Sequence, residues 1–122
     1  MTENKTILYV EDNQNIRALM MQILKDEAKE VFQASNGIEA LEVFQTKKPD
    51  IIITDITMPK MNGLDMLKKI YQVNPYQNII ILSALNKPEL ELNNLGNKNK
   101  IHFLNKPLVD DEKLFEILDS FN

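Results

Sequence analysis

Glu11 with Asp12, Asp55, Ser83 and Lys106 stand at the ends of four separate apolar segments. If those segments are strands of one open parallel sheet, three carboxylates, a hydroxyl and an ammonium converge, because such sheets bind ligands at the carboxyl ends of their strands. Taken singly, each has a structural reading. Glu11-Asp12 is then a solvated turn with Asp12 capping the next helix, and Asp55 is a polar strand end. Four strand ends converging on one edge argue for a site instead. Two carboxylates ~4 Å apart repel by about 4 kcal/mol at an effective dielectric near 20. Three of them call for a cation, and hard oxygen ligands without sulfur or imidazole select Mg²⁺. Mg²⁺ held by few carboxylates completes its shell with water and phosphate oxygens. Lys106 and Ser83 then supply a charge and a hydroxyl to the phosphate. This chemistry is that of a carboxylate that receives or holds a phosphoryl group.

The elements that position these groups alternate between strand and helix. Thr6–Val10 is a strand ending at the acidic turn 11–13, and Ile16, Leu19, Met20, Ile23 and Leu24 recur at helical spacing after it. Val31–Ala34 reads as a second strand. Asn36 and Glu39 resemble a capping box opening a helix with Leu41 and Phe44 inside, closed by Pro49. Ile51–Asp55 is apolar on both faces, as a central parallel strand is. Met58-Pro59 and Asn62-Gly63 mark a loop, and Leu64, Leu67 and Tyr71 pace a third helix. Asn78–Ser83 is a second fully buried strand. Pro88-Glu89 suits the first turn of a fourth helix running to about Leu95. Ile101–Asn105 is the fifth strand. Asp110, Asp111 and Glu112 place negative charge at the start of a last helix, with Leu114, Ile117, Leu118 and Phe121 as its buried stripe. Five strands alternating with five helices in 122 residues predict one doubly wound α/β domain, residues 1–122, with right-handed crossovers.

Composition narrows the function. The chain is 43% hydrophobic and 26% charged, which is ordinary for a globular domain. It has no cysteine and one histidine, His102, which excludes thiolate chemistry and multi-histidine metal sites. His102 reads as a strand-surface residue, and Met58, Met61 and Met66 as gap-filling packing. Net charge is −4 and Arg17 is the one arginine, so nucleic-acid binding is disfavoured. The pairs Lys47-Lys48 and Lys68-Lys69 read as solvated helix surface. No aliphatic run approaches the ~18–20 residues of a membrane span, and the N-terminus does not read as a signal peptide. A cytoplasmic protein is expected.

The segment Ile51–Gly63 resembles the phosphorylation segment of the receiver domain of two-component response regulators: an Asp at a strand end, then Met-Pro and Asn-Gly. Tyr9-Val-Glu-Asp12 resembles that family's acidic pair, Leu82-Ser-Ala84 its Ser/Thr position, and Phe103-Leu-Asn-Lys-Pro107 its aromatic-x-x-Lys-Pro motif. The likeness runs through the whole chain in order. It implies a flavodoxin-like parallel sheet of five strands in the order 2-1-3-4-5. It implies Asp55 as phosphoacceptor, attacking the phosphohistidine of a sensor histidine kinase or histidine phosphotransfer protein. Asp12, Asp55 and the Thr57 carbonyl would ligate Mg²⁺ (Mn²⁺ substituting), with Glu11 acting through a bound water. Lys106 would pair with a phosphoryl oxygen, and Ser83 would hydrogen-bond another while Phe103 fills the space it vacates. Lys106-Pro107 would be a cis peptide. The face formed by the fourth helix, fifth strand and fifth helix would then bind a downstream protein or a second receiver. Such a domain is a switch rather than a turnover enzyme.

Two departures stand out. The family's Gly-Ala before the fifth strand is replaced by Asn99-Lys100, with Gly96 earlier, which bears on the output face; and Phe103 stands where some members have Tyr. Rival readings fit less well. A haloacid-dehalogenase-type phosphatase needs a second Asp where Thr57 stands, and Glu11-Asp12 would repel the phosphate of a flavodoxin's FMN. Intact Asp12, Asp55, Ser83 and Lys106 argue against a degenerate, constitutive interaction module.

Overall fold

Ile51–Asp55 is apolar on both sides and forms β3, buried at every residue. The computed structural model describes residues 2–55, 63–83, 101–105 and 111–121. After a short 3-10 turn at Thr2–Asn4 come β1 (Thr6–Val10), α1 (Gln14–Lys25), β2 (Glu30–Ala34) and α2 (Gly37–Lys47). β3 is followed by α3 (Gly63–Val73), β4 (Asn78–Ser83), β5 (Ile101–Asn105) and α4 (Asp111–Ser120). All strand pairings are parallel, and the order is β2-β1-β3-β4-β5. The predicted sheet order is therefore the observed one. The predicted helix over 88–95 and the loop at Met58-Pro59 lie outside the described residues, while Gly63, read as loop, opens α3.

Alternation along the strands divides the core into two layers. Leu8, Val10, Ile52, Ile79 and Ile81 meet Ala40 and Phe44 of α2 and Met66, Leu67, Ile70 and Tyr71 of α3. Met66 is thus packing, as expected. On the other face Ile7, Tyr9, Ile51, Ile53, Ile80, Leu82 and Leu104 meet Met20 and Leu24 of α1, Leu114 and Leu118 of α4, and Phe121.

α1 is turned about its axis relative to the sequence expectation. Ile16 and Leu19 are exposed at 42% and 58%, whereas Met20 and Leu24 are buried. The inward place in the first turn belongs to Arg17, so the stripe runs Arg17, Met20, Leu24 at i, i+3, i+7. In α2, Ala40 and Phe44 are buried and Leu41 is only partly so. Asn36 caps α2 by accepting from the Glu39 amide at 2.9 Å. The returning Glu39 carboxylate accepts from the amide and hydroxyl of Ser35, one residue earlier than a standard capping box. Lys48 ends the helix in a left-handed turn (φ 49°), and Pro49 follows. Lys47, Lys48, Lys68 and Lys69 are all exposed.

Candidate metal centre

Strand register brings the reactive residues level. Val10 pairs with Thr54 and Asp55 with Leu82, so β1 and β3 end side by side with Ser83 one step further along β4. One carboxylate oxygen each from Glu11, Asp12 and Asp55 lies within 4.8 Å of the others. Glu11 is 1% exposed and Asp55 9%, whereas Asp12 is open to solvent. The cluster therefore combines two buried acids with one exposed one.

Local hydrogen bonds build the acidic turn. The Glu11 amide donates to the Ala34 carbonyl at 3.0 Å, carrying the β1–β2 ladder one residue past the strand. The Asn13 amide donates to Glu11 Oε2 at 3.2 Å. Asn13 Oδ1 accepts from the Ile16 amide at 3.0 Å, so Asn13, not Asp12, caps α1. The capping alternative for Asp12, set aside above in favour of a site, does not hold: its carboxylate is one residue too early to reach the first helical amides, and it stands in the acidic cluster instead. On β3 the Thr54 hydroxyl donates to the Asp55 carbonyl at 2.8 Å, fixing the main chain at the strand end. Tyr9, on the same face, has its phenol pushed far above its usual pKa. Burial is the main cause, and the negative charges of Glu11 and Asp55 add to it.

The structure thus joins Glu11, Asp12 and Asp55. It places Ser83 at the end of β4 opposite Asn105, and Phe103 in β5 opposite Ile81. Thr57, Lys106 and Pro107 lie outside the described residues. His102 sits on the edge strand, its ring edge-on to Phe121 with centroids 5.1 Å apart, and burial lowers its pKa. Sequence reasoning passed over Arg17, which touches the site: its Nη1 donates to the Glu11 carbonyl at 2.8 Å. The signal was its spacing from Met20 and Leu24, which puts it on the sheet-facing side.

A family model described as the response regulator receiver domain matches residues 7–119. The chain belongs to that family. This receiver domain is 42% identical over 82 residues to the chemotaxis protein CheY of Thermotoga maritima, covering 66% of this chain and 68% of the relative. It is 33% identical over 117 residues to the chemotaxis protein CheY of Bacillus subtilis, covering 95% and 97%. Among solved structures it resembles the chemotaxis protein CheY4 of Vibrio cholerae, with a TM-score of 0.85, 29% identity and coverage of 98% and 99%. Receiver domains are phosphorylation switches of two-component signalling. The acidic cluster of this receiver domain can hold a metal ion, and none of its described helices is long and apolar enough to cross a membrane.

Proposed function

We propose that Asp55 is the phosphoacceptor of this receiver domain, taking the phosphoryl group from the phosphohistidine of a sensor histidine kinase or histidine phosphotransfer protein in the cytoplasm. The observation that carries the reading is the meeting of Glu11, Asp12 and Asp55 oxygens within 4.8 Å at adjacent strand ends. An all-carboxylate donor set with one exposed member suits Mg²⁺, or Mn²⁺ in its place, since such ions keep part of their shell for water and phosphate oxygens. Asp12, Asp55 and the Thr57 carbonyl would hold the ion directly. Glu11, already engaged by the Asn13 amide, would act through a water. When bound, the ion offsets the negative charge of the carboxylates and of the incoming phosphoryl oxygens.

The remaining chemistry belongs to the chain. An Asp55 carboxylate oxygen attacks phosphorus in line with the phosphohistidine P–N bond. The O–P bond forms as the P–N bond breaks, and the electron pair returns to the imidazole, which takes a proton from solvent. The Lys106 ammonium pairs with one phosphoryl oxygen and the Ser83 hydroxyl donates to another. Phe103 then moves into the space Ser83 leaves. The surface built from segment 88–95, β5 and α4 changes and binds a downstream protein or a second receiver. Residues 1–122 act as one domain, a switch without turnover of an external substrate.

Acetyl phosphate with and without Mg²⁺ tests the assignment, read by intact mass. Wild type gains one phosphoryl group only with the metal, and Asp55→Asn gains none because an amide is not a nucleophile here. Equal labelling of Asp55→Asn would overturn the assignment.

A further inference from the structure

Arg17 is the one arginine among 14 basic residues. It spans three elements. Its Nη1 donates to the Glu11 carbonyl at 2.8 Å in a part-buried setting, and its Nε donates to Oε1 of Gln33 on β2 at 3.2 Å. The Glu11 main chain is thereby held at both of its polar groups, by Arg17 at the carbonyl and by Ala34 at the amide. The peptide plane that carries this carbonyl is the one that leads into Asp12. Its orientation decides where the Glu11 and Asp12 carboxylates stand relative to Asp55.

We propose that Arg17 is the positioning residue of the metal centre: by fixing the Glu11–Asp12 peptide plane it sets the affinity of the carboxylate cluster for a divalent cation. The proposal rests on reading Glu11, Asp12 and Asp55 as that centre. Groups that orient metal-binding side chains from behind commonly change affinity by 10–100-fold when removed.

Charge and position act in opposite directions here, which makes the role separable. A guanidinium bonded to the acidic turn at the Glu11 carbonyl competes with Mg²⁺ for the negative charge there, so deleting the charge alone tightens Mg²⁺ binding. Deleting the hydrogen bonds loosens the peptide plane and weakens binding. Lysine keeps the charge, but its point-like ammonium cannot present two N–H groups in a rigid fork to acceptors on different elements.

The test is an Mg²⁺ titration of the full chain followed by assigned amide shifts, for wild type, Arg17→Lys, Arg17→Gln and Gln33→Ala. It is run below the unfolding range that thermal melts define for each variant. Arg17→Lys weakens Mg²⁺ binding about 10-fold; Arg17→Gln, whose lost charge offsets part of the lost positioning, and Gln33→Ala weaken it less. Acetyl phosphate labelling of Asp55 recovers in every variant at saturating Mg²⁺, because Arg17 touches neither the ion nor the phosphate. Arg17→Lys binding Mg²⁺ as tightly as wild type would overturn the proposal, as would Arg17→Gln binding it more tightly. If Arg17→Gln does not fold, Arg17→Lys and Gln33→Ala decide by the same criterion. A wild-type chain that binds no Mg²⁺ removes the metal reading itself, whereas unchanged affinity in the variants removes only the role of Arg17.

Discussion

Replacing Asp12 by alanine should stabilise the metal-free protein and destabilise it relative to wild type once Mg²⁺ is added. Asp12 has two carboxylate neighbours within 4.8 Å. At that separation two unit charges repel by ~0.9 kcal/mol in bulk water and ~3.5 kcal/mol at an effective dielectric of 20. Asp12 is exposed, so the lower value applies. Two neighbours then give ~2 kcal/mol, which screening over a Debye length near 8 Å in physiological salt reduces to about 1 kcal/mol. Asn13 supplies the cap of α1, so the substitution removes repulsion without removing a helix stop signal. For a chain of 122 residues, about 1 kcal/mol moves the melting temperature by ~3–5 °C. Melts followed by circular dichroism in EDTA should therefore show Asp12→Ala above wild type, with a gap that shrinks in ~1 M salt. With Mg²⁺ at ~100 times its dissociation constant, wild type gains about 2.7 kcal/mol and the variant, lacking a ligand, gains much less. The two melting temperatures exchange order. A metal-free variant less stable than wild type, or an order unchanged by Mg²⁺, would refute the reasoning.

Asn13→Ala should cost about 1 kcal/mol of stability in denaturant titration through loss of the α1 cap, with or without metal. Ser83→Ala should still accept phosphate at Asp55 yet fail to pass the change on. With beryllofluoride, an acyl-phosphate mimic, the Phe103 amide shift should move in wild type and stay in the variant, and equal movement in both would exclude this coupling. Burial against Phe121 lowers the His102 pKa, so the neutral ring is the form the fold favours. Its contribution is complete above the unfolded value of 6.5 and is lost as pH falls below it. His102→Phe should lose less stability than wild type between pH 7 and pH 5 (~2 units, spanning the imidazole range), measured by urea midpoints.

Strand and helix positions were legible in the sequence because their signals are local. Runs apolar on both faces announce buried parallel strands, and Asn36 with Glu39 announces a helix start within four residues. The acids at strand ends were legible for the same reason: Glu11, Asp12 and Asp55 each follow an apolar run directly. What chain order alone does not decide is which strand ends are neighbours. Glu11 and Asp55 are 44 positions apart, and their carboxylates meet because β3 pairs with β1 in a register that levels Val10 with Thr54. The rotation of α1 was equally a tertiary matter. Ile16 and Arg17 both fit a helical stripe, and their inward or outward placement depends on what lies opposite in space. At the first turn that is the carbonyl of Glu11 and the side chain of Gln33, so the guanidinium turns in and the isoleucine turns out. A main-chain carbonyl near a cluster of acids gains more from a charged donor than from a methyl group, and only the folded arrangement of β1, β2 and α1 puts that carbonyl within reach.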